Sequence, residues 1–150
     1  MGAEPVHPAA SKALFEEELA ALPGRLLQQR GWILHSASYP TVDCSFTAPG
    51  RKTLRLRLTL DDWNDLPPSI LLLDSDGVPL SRGPSDPKGV FNNSSHPTTG
   101  RPFICMRGSR EYHTHSSHTS DHWGPLRTHA SYTLFNIVGQ IWNAWLKARD

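Results

Sequence analysis

The sequence predicts an α+β fold in which one helix, a four-stranded antiparallel meander, a long irregular segment and a closing helix pack as two layers, with one sheet face covered. Three patterns carry that expectation. Leu54, Leu56, Leu58 and Leu60 alternate with Arg55, Arg57 and Thr59, and period two sets every leucine on one face of a strand. Leu134, Ile137, Val138, Ile141 and Trp145 form an apolar stripe at helical spacing over 131–148, with Lys147 and Arg149 placed to complement a C-terminal dipole. Many of the 13 prolines and 11 glycines crowd the stretch from Pro67 to Pro102, which reads as a rigid irregular region.

The remaining elements follow in order. Over 11–29, Phe15, Leu19, Leu22 and Leu26 recur at helical spacing, with Glu16, Glu17 and Glu18 expected in the early turns where the dipole favours negative charge. Pro23-Gly24 ends or kinks that helix, a second turn reaches Arg30, and Gly31 closes it. Residues 32–38 and 42–47 are rich in β-formers and flank Tyr39-Pro40-Thr41, giving strand, turn and strand. Pro49-Gly50 makes the next turn before the alternating leucine strand, and Pro67-Pro68 precedes Ile70-Leu71-Leu72-Leu73, an apolar run that fits a strand covered on both faces.

At 150 residues the chain is expected to form a single domain over 1–150. A formal net charge of +1 supplies no general field for nucleic acid or an anionic membrane. No window approaches a membrane span, the N-terminal residues lack the pattern of a secretion signal, and two cysteines, Cys44 and Cys105, suit a reducing compartment; a soluble cytoplasmic protein is the expectation.

The residues that carry chemistry gather around Cys105. A thiol can act as a nucleophile once ionised, and its ordinary pKa near ~8.5 leaves only a few per cent thiolate at neutral pH. His96, Arg107, Arg110 and the nearby histidines are candidates to promote ionisation or to serve as base toward an incoming amine or hydroxyl. The stretch after Cys105 also holds Glu111, His113, His115, His118 and His122. Thiolate, imidazole and carboxylate are all zinc ligands, and four of them close a tetrahedral site. Glu111, His113 and His115 have period two and converge if that stretch is extended, while His115, His118 and His122 have helical spacing.

The run His96-Pro97-Thr98-Thr99-Gly100-Arg101-Pro102-Phe103-Ile104-Cys105, followed by Trp123-Gly124-Pro125-Leu126 and an apolar helix, resembles the active-site region of E2 ubiquitin-conjugating enzymes. In that family a His-Pro-Asn segment, a Gly, an Ile-Cys pair and a Trp-Ser-Pro segment precede a helix. Leu58-Thr59-Leu60 and Trp63 to Ile70 look like the family's third strand and the Pro-Pro that opens its fourth. The resemblance implies a UBC-like fold, with Cys105 as thioester nucleophile, His96 ordering the active-site loop and Thr98 standing where the family has its oxyanion-stabilising Asn. A threonine hydroxyl donates one hydrogen bond with a shorter reach. The resemblance further implies an E1-like activating enzyme, a ubiquitin-like modifier and a target protein as partners, and no cofactor for thiol transfer.

The long segment before Cys105 and the insert after it resemble divergent bacterial E2-like proteins encoded beside ubiquitin-like proteins and E1-like enzymes. Cys105, Glu111, His113 and His115 look like the Cys-Glu-His-His signature from which one such family is predicted to bind metal. Three readings therefore stand: an acyl carrier on Cys105, a zinc-binding E2-like module using Cys105, Glu111, His113 and His115, and a catalytically inactive scaffold. Against them stand plainer roles. An isolated cysteine after Phe103-Ile104 can be core, and histidines among serines and threonines can be a solvated loop. His7, His35 and His129 read as structural or surface groups, Arg55 and Arg57 as a solvated strand face, and Trp142 and Trp145 as core.

Overall fold

The computed structural model describes residues 7–150. In chain order these form α1 (Pro8–Ala20), α2 (Gly24–Arg30), β1 (Trp32–Ser38), β2 (Thr41–Phe46), β3 (Leu54–Thr59), β4 (Ser69–Leu73), β5 (Phe91–Asn92), β6 (Phe103–Ile104), α3 (Arg110–Thr114) and α4 (Leu134–Lys147), with short 3-10 turns at Ser116–His118 and Ala130–Tyr132. The fold is α+β: an N-terminal helix, a four-stranded antiparallel sheet in the order β1-β2-β3-β4, and a C-terminal helix. A separate ribbon pairs β5 with β6.

Period two decides the sheet's inner face. Leu54, Leu56 and Leu58 of β3 are buried, as are Val42, Cys44 and Phe46 of β2 and Ile70 and Leu72 of β4. With Leu134, Ile137, Val138, Ile141 and Trp145 of α4 they belong to one hydrophobic cluster, and Phe46 meets Trp145 with ring centroids 5.7 Å apart. Trp142 is only half-buried and sets its ring edge against Trp32.

The first helix begins earlier than its apolar pattern suggests. Pro8 occupies the first turn, where a missing N–H costs nothing, and the His7 ring accepts the Ala9 N–H. Glu16, Glu17 and Glu18 consequently lie in its later half, away from the positive end of the dipole. Glu18 has another use: its two carboxylate oxygens accept the Trp63 indole N–H at 3.1 Å and the Leu134 N–H at 2.6 Å, the latter an orphan donor at the start of α4. Burial raises the Glu18 pKa, and those two bonds hold the rise back. Gly31 closes α2 at φ +68°, and a Cβ there would strike the Thr47 carbonyl.

Two expectations about the sheet are corrected. The strand covered on both faces is β2, whereas Leu71 of β4 is only half-buried on the outer face. Arg55 and Arg57 are not a merely solvated face, because both close over Asp43 of the neighbouring strand: Arg55 Nε lies 2.7 Å and Arg57 Nη2 3.2 Å from its carboxylate. Beside them the His35 ring meets the Ser45 hydroxyl at 2.7 Å.

For Asp43, burial alone would raise the carboxyl pKa, but the hydrogen bonds and charges of Arg55 and Arg57 outweigh it and hold the group below its ordinary value. An acid whose folded pKa is depressed adds stability above its unfolded pKa and loses that contribution as pH falls through the folded one. Urea midpoints of the native chain are therefore expected to drop as pH falls below about 4, the ordinary aspartate range. Asp43→Asn, less stable at neutral pH, is expected to lose less over the same interval.

Candidate functional site around Cys105

The β5–β6 ribbon sets the position of Cys105. Phe91 pairs with Ile104 and Asn92 with Phe103, and the Cys105 N–H donates to the Val90 carbonyl at 2.7 Å. On the other side the Ser109 hydroxyl donates to the Ile104 carbonyl at 2.6 Å. Phe103 and Ile104 are buried and anchor the strand, while Cys105, one residue on, is half-buried. Between Cys105 and Ser109 runs a tight turn at Gly108, with φ +101°, whose missing Cβ leaves room for Tyr132 and Ile137.

Ser109 then caps α3, its side chain accepting the Tyr112 N–H at 3.1 Å. The segment 110–114 is thus helical, which corrects the extended conformation that would have brought Glu111, His113 and His115 to one side. Glu111 is buried at 6% exposure, and its two oxygens accept the Ser69 hydroxyl at 2.7 Å and the Ile70 N–H at 2.8 Å. His113 accepts the Gly108 N–H on Nε2 at 3.1 Å and donates from Nδ1 to the Asp121 carbonyl at 2.9 Å; burial lowers its pKa, with the Asp121 carbonyl opposing. His115 accepts the Ser117 N–H on Nδ1 and stacks on Phe103. Among the described residues no three His, Cys, Asp or Glu side chains gather as a metal site. The lone pairs of Glu111 and His113 already serve protein donors, so Cys105, Glu111, His113 and His115 do not fit a shared zinc ion in this arrangement. The set His115, His118 and His122 does not gather either, and His122 is exposed.

His96 is 1% exposed. Its Nδ1 accepts the Thr98 N–H at 3.1 Å, so the ring proton sits on Nε2 and is donated to the Glu111 carbonyl at 2.8 Å. Both nitrogens are committed, and His96 orders the loop without touching the sulfur. Thr98 is exposed, and among the described residues no hydrogen bond joins it to Cys105. Arg110 is turned to Asp61 at 2.8 Å and Arg107 to Asp121 at 2.8 Å.

What does reach the thiol is His118, whose Nε2 lies 3.7 Å from Cys105 Sγ. Its ring stacks on Tyr112 with centroids 4.1 Å apart and planes 18° from parallel. The Tyr112 hydroxyl donates to Asp121 Oδ2 at 2.6 Å, the oxygen that also takes the Arg107 Nε–H. That short bond to Asp121, then burial, raises the Tyr112 pKa, and the same bond followed by that of Arg107 lowers the pKa of Asp121. Burial raises the Cys105 pKa, and a hydrogen bond from Asn92 partly offsets it. The second thiol, Cys44, is 3% exposed and is pushed up to about 12 by burial, with the Asp43 charge adding to the effect.

The sequence places His118 among the insert histidines that could ionise the thiol, act as base or bind metal without singling it out, and it gives no role to Asn92, Tyr112 or Asp121. Ser109 before Arg110-Glu111 was the available signal for α3, an N-cap followed by helix formers. Asn92 carries no local signal, because it reaches Cys105 across the ribbon. The Trp123 loop docks elsewhere on the frame: its indole donates to the Asn64 carbonyl at 2.8 Å, and the Asn64 amide returns a bond to the Arg127 carbonyl at 2.7 Å.

Residues 90–148 match the model of the Y4jH family, described as Y4jH-like. The match takes in the ribbon, Cys105, the insert and α4, less than half of the chain. No curated protein matches the sequence.

Since Glu111 holds β4 and α3 together through protein donors, Glu111→Ala is expected to lower unfolding free energy by about 2–3 kcal/mol, the cost of stranding a buried N–H and hydroxyl. Denaturant titration with and without chelator checks it, and the loss should be the same in both.

Proposed function

We propose that the protein is an E2-like acyl carrier of a bacterial ubiquitin-like modification pathway, with a UBC-like fold and a cytoplasmic location. Cys105 takes the C-terminal acyl group of a ubiquitin-like modifier from an E1-like enzyme as a thioester and passes it to a target protein. The observation that carries this reading is the contrast between the two thiols. Cys44 is sealed in the core, while Cys105 sits half-exposed at the end of a backbone clamped on both sides. A carrier thiol needs an accessible sulfur on a rigid support, so that the incoming carbonyl meets it in one orientation.

Further support comes from the order of the surrounding elements. The His96 loop, the Ile104-Cys105 pair, the Trp123 loop and α4 follow one another as in the E2 family, and His96 has the loop-ordering bonds that the family resemblance implies. Two free cysteines agree with a reducing compartment. Among the described residues no helix is long and apolar enough to cross a membrane. The exposed Thr98 leaves the family's oxyanion position without a side-chain amide.

Incubation with the E1-like enzyme and ubiquitin-like protein of the same genome, plus ATP, is expected to give an adduct one modifier heavier. It should be cleaved by thiol reductant, absent in Cys105→Ala and retained in Cys44→Ala. An adduct that survives in Cys105→Ala, or none with the native chain, overturns the assignment.

A further inference from the structure

We propose that His118 is the proton acceptor for Cys105 and that Tyr112 positions its ring. The proposal rests on the acyl-carrier reading for its substrate, a protein C-terminus held as a thioester, and on local geometry for its residues.

The distinction among the histidines is where their nitrogens go. His96, His113 and His115 each spend ring nitrogens on backbone groups. Among the described residues His118 has no such backbone bond, and its Nε2 faces the sulfur at 3.7 Å. A histidine that served only to fill the loop would not need that nitrogen free. The ring cannot swing easily, because it lies flat on Tyr112, which is itself tied through Asp121 to Arg107. The separation is long for a hydrogen bond, as catalytic bonds in unliganded proteins commonly are. Groups around the pair are Tyr112, His115 and His113 from the insert and Arg107 and Asp121 at its edges.

The step balances without a co-reactant. The thiol proton passes to His118 Nε2 as sulfur attacks the thioester carbon. Collapse breaks the bond to the E1 sulfur, which leaves with the proton from His118, and the acyl group remains on Cys105.

The test uses full-length protein in the Cys44→Ala background and iodoacetamide as probe, with alkylation followed by intact mass from about pH 6 to about pH 10. His118→Gln is expected to slow alkylation at least about tenfold near pH 7 and to converge on the parent near pH 10, where hydroxide takes the proton. A circular dichroism spectrum and urea midpoint matching those of the parent show that the variant is folded. Tyr112→Phe should move the profile in the same direction by less, and His122→Gln should leave it unchanged. A His118→Gln profile within twofold of the parent at neutral pH overturns the proposal. Charging by the E1-like enzyme separates the two readings. Charging of His118→Gln at the parent rate near pH 7 sinks the histidine role and spares the carrier, whereas a His118-dependent alkylation profile in a chain that accepts no modifier spares the histidine role and sinks the carrier.

Discussion

Glu111 fastens the irregular part of the chain to the sheet. A carboxylate buried to this depth is costly unless its lone pairs are occupied, and here Ser69 and Ile70 of β4 occupy them while the residue's own carbonyl takes the proton of His96. Three pieces meet at one residue: the last strand of the meander, the short helix after Cys105 and the loop before it. Neither the loop nor a five-residue helix such as α3 would be stable in isolation. Their shape is a tertiary product, and so the position of the thiol between them is one as well.

That dependence explains the pattern of what the sequence discloses. Leu54 to Leu58 and the stripe on α4 are self-contained patterns, each decided by a backbone period and one apolar face, and both appear where expected. Gly31 ends its helix for a local steric reason. By contrast, Arg55 and Arg57 look solvated on their own strand, and only the register with β2 sets them over Asp43. Leu71 sits in an apolar run that resembles a buried strand, yet it is half-buried, while Leu73 on the same face is buried. The candidate site divides the same way. Cys105 and its flanking segments are legible in chain order, while Asn92, Tyr112 and Asp121 acquire meaning only through space.

The histidines of the insert show how composition misleads. Imidazole carries one donor and one acceptor in its uncharged form, so it can bridge two backbone groups as readily as it can bind a metal or move a proton. His113 bridges Gly108 and Asp121 and holds the turn after Cys105 against the end of the insert. His96 ties its own loop to α3 in the same way. Counting histidines therefore overstates the chemistry, and tracing each nitrogen to its partner assigns most of them to architecture.

The half-burial of Cys105 then sets the electrostatic problem that its neighbours must solve. Removing the sulfur from water disfavours the thiolate, and the Asn92 bond recovers only part of that loss. Each pKa unit corresponds to about 1.4 kcal/mol between protonation states, so a thiol left above its ordinary value is well protected from stray electrophiles and slow toward proper ones. Arginine does not relieve this, since Arg107 and Arg110 are held by aspartates. A proton acceptor beside the sulfur satisfies both demands, because it takes the thiol proton as an electrophile is attacked and so lowers the barrier while the resting sulfur stays protonated. The stacked, otherwise uncommitted ring of His118 is the group in this site whose bonding allows that behaviour.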